Sequence, residues 1–228
     1  MGKRIISQRR GRGTFTYRAK GRIEIKLPKR EGKAKVIDIL HGRNTPIAKI
    51  QFEDGSTDYV LASVGLTTNQ YLEISAEATP TNGNIVPLSK VPEGREVFFI
   101  ESKYQDGGKF CKSSGTFAIV KSHENGYTII QLPSKKLKKL SSNCRAIVGK
   151  PAGYGRISKP FLKAGIKWKK MRARGKLYPR TSGSKMNAVD HPYGGRTRPG
   201  KSTSTSRHAP PGRKVGSISP RRTGKKKK

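Results

Sequence analysis

Residues 195–202, GRTRPGKS, fit the GxxxxGK[ST] pattern of a loop that cradles nucleotide phosphates, with Lys201 in the lysine position. That chemistry needs a buried strand before the loop and a helix N-terminus after it, because the first amides of the helix receive the phosphates. The flanks here are AVDHPYG and TSTSRHAPPG, which hold neither an apolar run nor a series of helix formers. Nucleotide hydrolysis is set aside on that ground, and turnover abolished by changing Lys201 would be needed to restore it. Asp190 and His191, with Ser182, Ser184 and Ser202, hold the residue types of a hydrolytic triad. A triad needs a scaffold that fixes base and acid, and adjacent residues in a Gly/Pro-rich segment lack one. The plainer role for His191 is stacking or hydrogen bonding on RNA. None of the four histidines stands in an i, i+4 metal pair, and Cys111 and Cys144 have no CxxC partner. Neither a zinc ribbon nor a disulfide framework follows, and both thiols read as reduced and structural.

The stronger chemistry is charge. The 228 residues carry 50 Lys and Arg against 14 Asp and Glu, a net +36, with 32% hydrophobic and 7% aromatic side chains. Self-repulsion of that size calls for a polyanion and excludes an ordinary compact enzyme surface. Residues 151–228 hold 23 bases and a single acid, Asp190, and residues 1–35 hold 13 bases and 2 acids. Tyr17, Tyr154, Trp168, Tyr178 and Tyr193 are interleaved with these bases, offering phosphate pairing together with stacking on nucleobases. RNA is favoured over DNA, since no helix presents itself for a major groove and glycine-rich extensions suit an irregular folded surface. Residues 36–85 run the other way, with 6 acids against Arg43 and Lys49. Those acids could bind magnesium, face another basic protein or simply be solvated, the last being the plainest. No stretch reaches the apolar length of a membrane span, and the start MGKRIISQRRGRG lacks the apolar core of a signal peptide, so a cytoplasmic protein is expected.

The elements that must position these charges are strands. From Val36 to Val148 short apolar, β-branched runs follow one another: VIDIL (36–40), IAKIQF (47–52), YVLA (59–62), YLEI (71–74), VFFI (97–100), TFAIV (116–120), YTIIQL (127–132) and RAIV (145–148). Asp54-Gly55 and Asn125-Gly126 predict two tight hairpins, because both turns need positive backbone dihedrals. A break at 76–94, rich in proline and glycine, separates a first unit at about 36–85 from a second at about 86–150. The expected fold is mainly β, two small barrels with long basic extensions at both ends. The extensions lack the apolar surface to offset chain entropy and are expected to order on a polyanion. The KWKK run at 167–170 predicts one helical turn.

MNAVDHPYGG (186–195), SRHAPPGRKVG (206–216) and RRTGK (221–225) closely resemble the C-terminal extension of the L-two family of large-subunit ribosomal proteins. The resemblance continues through GRNTPIAKIQFEDGSTDYVLASVGL (42–66), GNIVPLSKVPEG (83–94), GGKFCKSSGT (107–116), KKLKKLSSNCRAIVG (135–149) and KPFLKAG (159–165). With the opening MGKRIISQRRGRGT it spans nearly the whole chain, and AVDHP and APPGRKVG are similar to the archaeal branch. It implies a basic N-terminal arm at 1–35, an OB-like barrel at 36–85, an SH3-like barrel at 86–160 and a basic extension at 161–228 threading into RNA. Such proteins are structural constituents of the large subunit. They support assembly, subunit association and tRNA placement near the peptidyl transferase region, and do no chemistry themselves.

The implied partners are large-subunit rRNA, neighbouring large-subunit proteins and the small subunit at the interface, with no membrane and no homo-oligomer. No catalytic residue, metal ligand or cofactor is expected, although Mg2+ bridged through the RNA stays open. The family's RNA-contacting arginines fall on Arg43 and Lys112, and the VDHP histidine on His191 beside Asn187 and Asp190. With the basic pattern, the expected rRNA contacts are Arg9, Arg10, Arg12, Arg43, Lys112, Arg145, Lys167, Trp168, Lys169, Lys170, Arg172, Arg174, Asn187, Asp190, His191, Arg196, Arg198, Arg207, Arg213, Lys214, Arg221 and Arg222. Three features depart from the family pattern. Lys112 keeps the charge but loses the bidentate fork of arginine, Ser182–Gly183 stands where an arginine–glycine pair is usual, and Tyr193 with only Gly194-Gly195 follows the histidine. The rival reading is a general chromatin or RNA-packaging protein, for which basic tails alone would suffice.

Overall fold

A computed structural model describes residues 2–19, 25–42, 44–196 and 203–222. The chain falls into two compact units, one within residues 23–160 and the other made of the described parts of 1–22 and 161–228.

The first unit is a single ten-stranded sheet. Its strands are β1 (Gly32–Leu40), β2 (Ile47–Phe52), β3 (Thr57–Leu61), β4 (Tyr71–Ile74), β5 (Ile85–Pro87), β6 (Glu96–Phe98), β7 (Ala118–Glu124), β8 (Tyr127–Gln131), β9 (Leu137–Ser141) and β10 (Arg145–Val148). They lie in the order β3-β2-β1-β4-β5-β10-β6-β7-β8-β9. Every pairing is antiparallel except β4 with β5, which meet in parallel at Ile74 and Ile85. Both hairpins form. Glu124 opposes Tyr127 across a two-residue turn whose Asn125 and Gly126 have φ of 44° and 76°, the left-handed pair that matches the twist of the flanking strands. At the other, Gly55 turns at φ 81° and donates its amide to the Phe52 carbonyl. Bulges between Val36 and Asp38 in β1, and between Val120 and Ser122 in β7, break the two-residue alternation and sharpen the local twist.

Two strands carry no clear sequence signal. β5 is three residues long inside the proline-rich break, and it crosses the position where composition suggests a boundary. β9 is LKKLS, and only Leu140 of it is buried. Lysines on such a sheet edge discourage pairing with another chain. β1 also starts earlier than the apolar run that announces it, and Leu27, in the basic N-terminal stretch, is 2% exposed in the core.

The interior consists of two hydrophobic clusters. One gathers Val36, Ile50, Val60, Leu72, Ile74, Ile85, Phe98, Phe99 and Ile147 among others, and the second gathers Val86, Leu88, Val97, Ile100, Val120, Ile130, Ala146 and Val148. Neighbouring residues of the three central strands divide between them. Ile85, Phe98 and Ile147 face the first core, while Val86, Val97, Ala146 and Val148 face the second. Successive side chains point to opposite faces of a strand, so β5, β10 and β6 form a wall with a core on each side. That explains why all four residues of RAIV are buried, since a strand covered on both faces reads as a continuous run.

Glu101 and Arg145 are sealed beside this wall, with side chains 0% and 7% exposed. Arg145 Nη2 donates to Glu101 Oε1 at 2.9 Å, and the Arg145 amide donates to Oε2 at 2.9 Å. Arg145 Nη1 donates to the Pro28 carbonyl at 2.7 Å, and the Gln105 amide donates to Glu101 Oε2 at 3.1 Å. The expectation that Arg145 contacts rRNA is corrected by this geometry. Its guanidinium is out of solvent and committed to a carboxylate and a carbonyl, so its work is to join β10 to the 101–105 loop and the segment before β1. Truncation to Glu101→Ala strands a buried cation and is expected to lower stability by about 3–5 kcal/mol, read by denaturant unfolding of the full chain.

Nearby, Asp106 is partly buried, which alone would raise its pKa. Amide donation from Gly108, Ser102 and Lys103 prevails and holds it below the ordinary carboxylate value. Burial pushes the Cys111 thiol from the ordinary 9.0 up to about 11, and burial, with the Glu101 and Asp106 carboxylates, also raises that of Cys144. A raised thiol pKa contributes stability in full below pH 9.0, and the Cys111 contribution fades as pH climbs through about 11. Iodoacetamide at pH 8 should therefore label both cysteines far more slowly in the folded chain than in denaturant.

Candidate nucleic-acid interface

The second unit holds most of the sequence-named bases and almost no core. Ile5 is its one buried hydrophobic side chain among the described residues. Other forces must therefore position its charges. α1 (Ile6–Gly11) ends with Arg9 and Arg10 in its last turn, where cations oppose the negative end of the helix dipole. The Ile5 amide donates to Gln8 Oε1 at 3.1 Å, closing the helix start.

α2 (Ala164–Ala173) extends the expected KWKK turn to ten residues and buries none of them. Cations over aromatic rings replace a packed face there. Lys170 Nζ lies 4.6 Å from the Phe161 centroid, Lys167 Nζ 5.3 Å from Tyr178, and the Arg172 guanidinium 5.1 Å from Trp168.

The AVDHPYGG loop is closed by main-chain bonds. The Asp190 and His191 amides donate to the Asn187 carbonyl, Gly194 donates to the His191 carbonyl at 2.9 Å, and Gly195 to that of Met186 at 3.2 Å. A Cβ on Gly194 would overlap the Asn187 carbonyl, and one on Gly183 would overlap the His191 ring. The Tyr193 amide donates to His191 Nδ1 at 3.0 Å, which takes the nitrogen a triad aspartate would hold. Asp190 instead reaches Lys3 Nζ at 3.7 Å, and the Lys3 amide donates to the Val189 carbonyl at 2.9 Å. Ser182 and Ser184 hydrogen-bond to each other at 3.0 Å. The elements of a triad are thus engaged in holding a loop.

Tyr193 ties that loop to the rest of the extension. Its ring lies tilted against His191 with centroids 5.2 Å apart, and its hydroxyl lies 3.1 Å from the Thr203 carbonyl and 3.2 Å from that of Val215. Close approach depends on Gly216, at φ 81°, where a Cβ would overlap the Tyr193 hydroxyl. Beside it β11 (Ser204–Thr205) pairs in parallel with β12 (Ser217–Ile218). The intervening turn, closed by Arg213 and Lys214 amides on the Pro210 carbonyl, presents both basic side chains to solvent.

Arg9, Arg10, Arg12, Lys169, Arg172, Arg196, Arg207, Arg213, Lys214, Arg221 and Arg222 are exposed, as are Trp168 and Asn187. Lys167, Lys170, Arg174, Asp190 and His191 are half-buried. Arg43 and Arg198, and the phosphate-loop pattern from residue 197 to 202, lie outside the described residues. Lys112 belongs to the β unit, where its ammonium donates to the Ile25 carbonyl at 3.2 Å and lies 4.7 Å from the Phe99 ring. The Gly216–Tyr193 contact and the Lys3–Asp190 pair escape sequence reasoning because their partners are distant in the chain. Among the described residues no helix is long and apolar enough to cross a membrane.

Fold and site define a class: a mainly β protein joined to a polycationic, glycine-closed unit. Residues 81–214 match the family described as Ribosomal Proteins L2, C-terminal domain. The chain is 50% identical to the large ribosomal subunit protein uL2 of Methanothermobacter thermautotrophicus, with all of both chains covered. It is 46% identical to the proteins of that name from Methanococcoides burtonii and Natronomonas pharaonis, covering 99% of this chain and 100% and 97% of theirs. The chain belongs to the L2 family of ribosomal proteins, in its archaeal form.

Tyr193→Phe removes the hydroxyl that spans two carbonyls while keeping the ring. Hydrogen exchange at the Ser217 amide, which donates to the Thr203 carbonyl at 2.9 Å, should accelerate by roughly fivefold, matching a loss of about 1 kcal/mol.

Proposed function

We propose that this chain is a structural constituent of the large ribosomal subunit that binds large-subunit rRNA through its basic unit. The observation that carries the reading is the exposure of arginines and lysines on a unit with scarcely any core, whose loops are closed by glycine and main-chain bonds. The names of the archaeal relatives support it. Positive charge inserted between RNA helices lowers phosphate repulsion, and the β unit, held by two packed cores, supplies an anchor for that insertion. Neighbouring large-subunit proteins and the small subunit are the protein partners, and the cytoplasm is the compartment. RNA carries the peptidyl transfer near which the extension lies, and His191 serves in the geometry of its loop. Magnesium enters through the RNA phosphates rather than through a protein cage.

Two measurements test this. Tagged chain should remain in the large-subunit peak through a high-salt gradient, and loss to light fractions would favour a general packaging protein. Affinity for large-subunit rRNA should fall on the order of 10³–10⁵-fold between roughly 50 and 200 mM salt if about ten phosphates are neutralised. Arg213→Ala and Lys214→Ala should each flatten that log–log slope by about one, with little change in preference among RNA sequences.

A further inference from the structure

A cleft of about 340 Å³ opens in the basic unit, lined by Phe15, Thr16, Arg18, Trp168, Arg172, Lys176, Leu177 and Tyr178. Its walls are mostly apolar, with three aromatic rings, three cations and no acid among the lining residues. Phe15 is 76% and Trp168 42% exposed, an unusual state for large rings unless something covers them. The cleft is built from two distant stretches of chain. A 3₁₀ turn at Phe15–Tyr17 meets the segment after α2 at Gly175, which is buried at φ 61°. A Cβ there would come within 2.7 Å of the Tyr17 carbonyl oxygen and 2.8 Å of the Ala19 nitrogen. Arg18 Nε donates to the Gly13 carbonyl at 2.8 Å, which orients the guanidinium and leaves its terminal amino groups to pair with an anion.

Flat apolar walls suit a planar ring, and cations at the same mouth suit a phosphate. One chemical unit presents both, a nucleotide with its base out of the helical stack. We propose that this cleft receives one unstacked RNA base, stacked against Trp168 and Phe15, with its flanking phosphates paired by Arg18, Arg172 and Lys176. The proposal rests on the RNA-binding reading and adds to it a preference that charge alone does not give, for RNA with a bulged or looped-out nucleotide. The Arg172 guanidinium already over the Trp168 ring shows that the ring accepts a flat cationic partner, and a base would lengthen that stack.

Trp168 is the sole tryptophan, so its emission reports this cleft alone. The experiment titrates the full chain with three RNA hairpins: fully paired, carrying one bulged adenosine, and carrying an abasic site at the bulge. The bulged adenosine should quench Trp168 and bind on the order of 5- to 150-fold more tightly than its abasic twin, the range for one stacked base. Trp168→Leu should erase most of that difference, weakening the bulged-adenosine hairpin far more than the abasic or fully paired ones, and Trp168→Phe should keep most of it. Equal affinity for the adenosine and abasic hairpins, with strong salt dependence retained, would overturn the cleft and leave the RNA-binding reading intact. Failure to bind any hairpin at low salt would overturn both. Equal weakening of all three hairpins by Trp168→Leu would mark the tryptophan as structural and overturn the proposal.

Discussion

Everything in the β unit depends on the wall of β5, β10 and β6. A sheet of ten strands has one hydrophobic interior on each side only if its central strands are apolar on both faces, and these three are. Ile85 and Val86 are neighbours in sequence and belong to different cores, as do Val97 and Phe98, and Ala146 and Ile147. Neither half can be removed without exposing a face of the wall to water. Burial in common thus offsets the smallness of each half, which alone would be marginal. The Glu101–Arg145 pair lies where the chain enters β10 at the edge of the wall, so a fully desolvated charge is tolerated there only through its complete set of partners.

The basic unit solves the opposite problem. It has charge in excess and hardly any apolar area, so its order comes from carbonyls shared by several amides, from glycines that admit close approach, and from cations resting on rings. Such contacts are individually weak, and like-charge repulsion works against them until a polyanion arrives. Tyr193 shows how much rests on one side chain, since its hydroxyl and ring touch His191, Thr203 and Val215 at once.

Much of this was legible in the sequence because the signals were local. Asn125-Gly126 dictates its hairpin, β-branched runs dictate strands, and a segment with 23 bases and one acid dictates an exposed surface. β5 and β9 were hidden because the first is too short for a period and the second, Leu-Lys-Lys-Leu-Ser, spaces its leucines three apart and so lacks the two-residue alternation of a half-buried strand. Arg145 was misread for a related reason: its charge is written in the sequence, but its burial depends on Glu101 and Pro28, which only folding brings near. The cleft beside Trp168 was equally hidden, for Phe15 and Tyr178 meet through a glycine that looks like any other in a glycine-rich tail.

The place of β10 in the sheet also sets an order of events. It is the last strand of the unit to leave a ribosome, yet it sits at the centre, between strands made much earlier. Until Val148 is synthesised, β5 and β6 have no partner on their facing edges, and the two half-cores remain open along the seam. A nascent chain in that state carries bare strand edges and exposed valine and isoleucine, the surfaces that invite association with other chains. Closure of the fold is thereby postponed to the end of the body's translation, and the exposed interval lengthens whenever elongation stalls before residue 145.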